Sequence, residues 1–168
     1  MSYRKEELSD GEIYHVYNRG VDKRIIFEDK QDFFQFLQML DLCNVDMTCG
    51  GLDKYKYPFN LERRNNKSPL VEIISYCLNQ NHYHLMLRQI GKSGVSQFMQ
   101  KVGTAYAMYF NQKNQRTGSL FQGKFKSIHV GTDEYLKGLS AYINLNNVIH
   151  GSVKGKQQGL ALLFRSSW

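Results

Sequence analysis

The chain has 168 residues, 42% of them hydrophobic and 22% charged. That composition excludes a disordered polymer and leaves room for one domain with a real core. A formal charge of +7 and a pI of about 9.3 point to a polyanionic partner, nucleic acid before anionic membrane.

Cys43, Cys49 and Cys77 are odd in number and lack CxxC spacing. They argue against a disulfide frame or zinc knuckle and suit a reduced, cytoplasmic setting. Residues 1–11 are polar without an apolar core, so no signal peptide is expected. No apolar run reaches membrane-spanning length, and no membrane association is expected.

From Glu12 to Arg19 the residues alternate, with Ile13, His15 and Tyr17 set against Tyr14, Val16 and Asn18. This predicts a first strand that ends at Gly20. Asp29 is a fair N-cap for a helix, and Phe33, Phe36, Leu37 and Leu40 form its apolar stripe, which fades near Asn44. Thr48 to Pro69 breaks the pattern with Gly50-Gly51, two prolines and the basic run Arg63-Arg64-Asn65-Asn66-Lys67. It reads as an insertion loop, either a solvated excursion or a flap that touches phosphates.

Val71 to Leu78 and His82 to Arg88 read as two strands of a hairpin joined by Asn79-Gln80-Asn81. Val95, Phe98, Met99, Val102, Tyr106, Tyr109 and Phe110 share one face of a long helix, so both tyrosines are read as packing. Leu120 to Val130 is expected to be a fourth strand with Lys124, Lys126 and His129 along it. Thr132 caps a last helix with Leu136, Leu139 and Ile143 inside, closed at His150-Gly151. Residues 152–168 form a loosely attached tail, with 160–168 a short docking segment.

The order strand, helix, strand, strand, helix, strand matches the split βαβ pattern, with one further helix at the C-terminus. The expected class is α+β: a ferredoxin-like antiparallel sheet with two helices on one face, in a single domain spanning 1–168.

The third strand carries the strongest chemical signal. In Asn81-His82-Tyr83-His84-Leu85-Met86-Leu87 the two histidines are two residues apart, so both project from one face of a strand. Tyr83, Leu85 and Leu87 occupy the other face and suit a core. A histidine alone in a strand is more often a satisfied core residue. A pair turned away from the apolar side favours metal or phosphate chemistry. His15 and His129 each suit a proton shuttle, a phosphate contact or an ordinary surface position, and the surface reading is favoured. In the final helix Tyr142 and Asn146 are four apart and share a face, a spacing that packing explains as well as catalysis.

Four segments resemble one family. Asn81-His82-Tyr83-His84-Leu85 is typical of the single-tyrosine HUH transposases, and the chain looks most like their REP-associated branch. His15-Val16-Tyr17-Asn18-Arg19-Gly20 resembles that family's first strand. Gly118-Ser119-Leu120-Phe121-Gln122-Gly123-Lys124-Phe125-Lys126-Ser127 resembles its Gly-x-Leu-aromatic-Gln-x-basic-aromatic segment. Tyr142-Ile143-Asn144-Leu145-Asn146-Asn147-Val148 resembles its tyrosine helix, with Asn147 where the family usually has proline. The likeness runs from about His15 to Gly151.

That resemblance implies Tyr142 as the nucleophile, His82 and His84 as metal ligands and Asn146 as a third ligand for Mg²⁺ or Mn²⁺. The implied substrate is single-stranded DNA that forms hairpins, cut through a 5′-phosphotyrosine and rejoined without ATP. A homodimer is possible, because related enzymes share active sites between chains. Arg19, Arg116, Lys124 and Lys126 are candidate contacts to the DNA backbone, and Tyr135 is a candidate for positioning DNA. Two other readings are a non-catalytic nucleic-acid-binding module of the same fold and a metal nuclease that activates water.

Overall fold

The structure, a computed structural model, describes residues 8–45 and 68–132, together with Gly138 and the backbone of Leu160–Leu163. Its elements run β1 (Ile13–Arg19), α1 (Lys30–Leu42), β2 (Val71–Asn79), β3 (His82–Gln89), α2 (Gly94–Lys113), β4 (Lys126–His129) and β5 (Leu160–Leu163). The sheet order is β4-β1-β3-β2-β5, antiparallel throughout. The first four strands with α1 and α2 make the ferredoxin-like α+β arrangement that the element order implies.

Alternation along the strands decides which face is covered. Tyr14 and Val16 of β1, Tyr76 and Leu78 of β2, and Tyr83, Leu85 and Leu87 of β3 join one core with the helices. From α1 that core takes Phe33, Phe36, Met39 and Leu40, and from α2 Val95, Phe98, Met99, Val102, Ala105, Tyr106 and Phe110. Aromatic rings fill its centre. Phe36 packs edge-on to Tyr106 at 5.0 Å and tilted to Tyr83 at 5.1 Å. Tyr106 is fully buried and its hydroxyl donates to the Ile26 carbonyl at 2.5 Å, so a packing role fits it.

Helix α1 starts where expected, with the Asp29 carboxylate accepting from the Asp32 amide at 3.0 Å. Helix α2 starts against Leu70, the residue just before β2. A Cβ on Gly94 would lie 1.9 Å from the Leu70 carbonyl oxygen, so only glycine allows that approach.

The expected fourth strand over Leu120 to Val130 is shorter. Only Lys126–His129 pairs with β1. Upstream, Leu120 and Phe121 turn into the core, and Gly123 takes a φ of 69°. The Gln122 amide bonds the Arg19 carbonyl at 2.8 Å, and Phe121 bridges Gly20. The segment anchors itself to the end of β1 as an irregular loop, because its apolar residues are needed inside the core rather than in an alternating row.

Within the segment read as a docking piece, Leu160–Leu163 adds β5 to the outer edge of β2. The expected last helix, apart from Gly138, and most of the Thr48–Pro69 loop lie outside the described residues. No helix among the described residues is long and apolar enough to cross a membrane.

Candidate functional site

The polar side chains of interest gather on the sheet face opposite α1 and α2. Antiparallel partners point to the same side of a sheet. At one level His82 of β3 lies between Arg19 of β1 and Asn79 of β2. At the next, His84 lies between Tyr17 and Cys77, and Tyr17 is followed by Lys126 of β4. His82 and His84 are half-buried, with ring centroids 5.1 Å apart and planes perpendicular.

The hairpin turn that carries His82 is clamped by the chain just after β1. The Gln80 carbonyl accepts from the amides of Ile26 and Phe27 at 2.7 and 3.0 Å, and the Asn81 carbonyl accepts from Gly20 at 2.9 Å. The Asn81 side chain donates to the Lys23 carbonyl at 3.3 Å. Gly20 is required there, since a Cβ would sit 2.3 Å from the Arg24 carbonyl oxygen.

The same turn orients the His82 ring. The carbonyl oxygen of the Asn81 side chain lies 2.6 Å from Nδ1 and can only accept, so Nδ1 carries the proton. Nε2 then holds the lone pair, which accepts from the Asn79 amide at 3.1 Å. That amide also reaches the Cys77 sulfur at 3.6 Å.

His84 Nδ1 lies 2.9 Å from His15 Nε2. Burial pushes the His84 pKa down to about 3, with the nearby His15 and His82 acting in the same direction. Burial alone takes His15 down to about 4. Both rings are therefore neutral near pH 7, the form that offers a lone pair to a cation.

His15 departs from the sequence expectation. It is buried rather than on the surface, at 7% exposure, and forms near-parallel ring contacts with Tyr17 and His84, each at 5.1 Å. The signal was present in the alternation of Ile13, His15 and Tyr17. It becomes readable only once β1 is paired with β3. His129 is exposed and pairs with Glu12 at 2.6 Å, a surface role as expected.

The candidate DNA contacts divide. Arg19, Lys124 and Lys126 are exposed, and the Arg19 Nε donates to Gln122. Arg116 is half-buried and braces the loop after α2, donating to Asn111 and to the Ser119 carbonyl, the latter at 3.1 Å. Desolvation and the neighbouring Arg24 lower its pKa from the ordinary value. Tyr142 and Asn146 lie outside the described residues. Among the described residues no three His, Cys, Asp or Glu side chains form a metal-binding group. A cation held by His82 and His84 would take further ligands from elsewhere or from substrate and water.

Comparisons with known proteins add to this geometry. A family model described as "Transposase IS200 like" matches residues 60–146. Among solved structures, one described as a REP-associated tyrosine transposase bound to a REP hairpin shares the fold. Its TM-score is 0.54 at 16% identity, covering 91% of this chain and 76% of that one. No match was found among curated proteins.

Proposed function

Because the chain belongs to the IS200-like transposase family, we propose that it cuts and rejoins single-stranded DNA with Tyr142 as nucleophile. The observation that carries this reading is the His82–His84 pair: two imidazoles side by side on the sheet face away from the helices, their centroids 5.1 Å apart. Their donor chemistry fits a divalent ion that would take the place of the Asn79 amide at His82 Nε2, with His82 and His84 as ligands, Asn146 as the third, and Mg²⁺ or Mn²⁺ as the metal. When bound, the ion would polarise the scissile phosphate and stabilise the charge that develops on it.

The chain's own residues supply the rest. The Tyr142 hydroxyl attacks phosphorus, the bond to the 3′ oxygen breaks, and the departing oxygen leaves as a 3′-OH. The 5′-phosphate stays on Tyr142. Reversal by that hydroxyl or another restores a phosphodiester, so one bond is exchanged for another and no ATP is consumed. Arg19 and Lys126 share the face of the histidines and are suited to backbone phosphates. The hairpin bound in the REP-associated structure supports a hairpin-forming strand as substrate.

The test is a denaturing gel after incubation with labelled, hairpin-bearing single-stranded DNA and Mn²⁺. A covalent protein–DNA band that disappears with EDTA and in Tyr142→Phe is expected. Cleavage without the band would instead indicate a water-activating nuclease, and binding without cleavage a recognition module.

A further inference from the structure

The buried His15 has no part in the reaction as set out above, yet its only side-chain hydrogen bond among the described residues goes to a proposed metal ligand. We propose that His15 is a positioning residue for the cation site: its Nε2 accepts the Nδ1 proton of His84 and so assigns ligation to the Nε2 of His84. This rests on the reading of His82 and His84 as ligands.

Two imidazole nitrogens 2.9 Å apart form a hydrogen bond with one proton between them, so one ring donates and the other accepts. If His15 donates, the proton of His84 moves to its own Nε2, and that nitrogen cannot bind a cation. If His15 accepts, Nε2 of His84 carries the lone pair. A ligating histidine ordinarily has its other ring nitrogen fixed by such a partner, and loss of the partner typically weakens metal binding about 10–100-fold.

The ring of His15 is held for this task. Tyr17 and His84 pack against it at 5.1 Å, with interplanar angles of 29° and 23°. Met86 and Ile128 are its cross-strand partners. His15 Nδ1 is buried without a hydrogen-bond partner among the described residues. An apolar ring would fill the place without the cost of an unsatisfied buried polar group. The geometry instead gives the useful bond to His84. His82 has the equivalent support from Asn81, so each proposed ligand carries a partner on its Nδ1.

The experiment titrates Mn²⁺ into the full chain by calorimetry, comparing the unaltered protein with His15→Phe and His15→Gln. Phenylalanine keeps the ring and removes the acceptor, and glutamine restores an acceptor at similar reach. The expected result is Mn²⁺ binding weakened about 10–100-fold by phenylalanine and largely recovered by glutamine. Nitrogen-15 histidine spectra of the unaltered protein with Mg²⁺ should place a proton on His84 Nδ1 and none on His15 Nε2. This measurement decides the matter alone if the phenylalanine variant fails to fold.

Unchanged Mn²⁺ binding in His15→Phe overturns the proposal, as does equal loss in both variants or a proton on His15 Nε2. In those cases the metal reading of His82 and His84 stands. An unaltered protein that binds no Mn²⁺ overturns both.

Discussion

A single charged residue ties the two helices together. Asp32 is fully buried and accepts from the Glu28 amide at 2.8 Å, from the Tyr109 hydroxyl at 2.9 Å and from Lys113 at 2.7 Å. Lys113 also reaches Asp29 at 2.7 Å. Desolvation alone would lower the Lys113 pKa, but its bonds to Asp29 and Asp32 outweigh that and raise it. Lys113→Met leaves the buried carboxylate without its cation. A loss of about 1–3 kcal/mol is expected, seen as a thermal midpoint lower by several degrees. The bond to Lys113 also holds the Asp29 carboxyl below its ordinary pKa. Its contribution to stability is therefore complete above about pH 4 and is lost as pH falls through the lower folded value. Asp29 is half-exposed, so that part is small. The acid limb of a stability–pH curve should be slightly shallower in Lys113→Met than in the unaltered chain.

Among the elements, the β2–β3 hairpin and the chain after β1 act as one unit. Gly20 allows the chain to pass close to Arg24, and in that path the amides of Gly20, Ile26 and Phe27 grip the turn at Gln80-Asn81. Gly20→Ala should cost about 1–3 kcal/mol through overpacking, measured by urea unfolding. It should also loosen the turn and raise hydrogen exchange at Ile26 and Phe27. An unchanged exchange rate would show that the clamp does not depend on the close passage. Strand β5 makes a separate prediction. Deleting residues 160–168 removes the pairing at Ser75–Leu78, so amides on that edge of β2 should exchange faster while those on the β3 side keep their protection.

For the whole molecule, the sheet separates two tasks. One face is committed to the helices and carries the aromatic core. The other presents His82, His84, Arg19 and Lys126. With a net charge of +7, the proposed binding to single-stranded DNA should weaken linearly in log–log form as salt rises. The slope should fall by about 0.7 for each phosphate contact removed. Lys126→Ala should lower that slope by about one contact and weaken all sequences alike. A sequence-dependent loss would instead assign Lys126 to base reading.

The residues determine by themselves whatever depends on period and local chemistry. The alternation in β1 and β3, the stripe of α1 capped by Asp29, the long apolar face of α2 and the outward pair His82–His84 were all legible, because backbone geometry forces those spacings onto one face. Tertiary structure alone decided what depends on partners distant in the chain. It shortened β4, because Leu120 and Phe121 sit in a core that sequence neighbours do not reveal. It moved His15 from the surface to the flank of His84, because a strand does not announce which strand it will lie beside. It set β5 against β2, because an edge is open only once the sheet exists. Pattern yields faces, and only assembly says which faces meet.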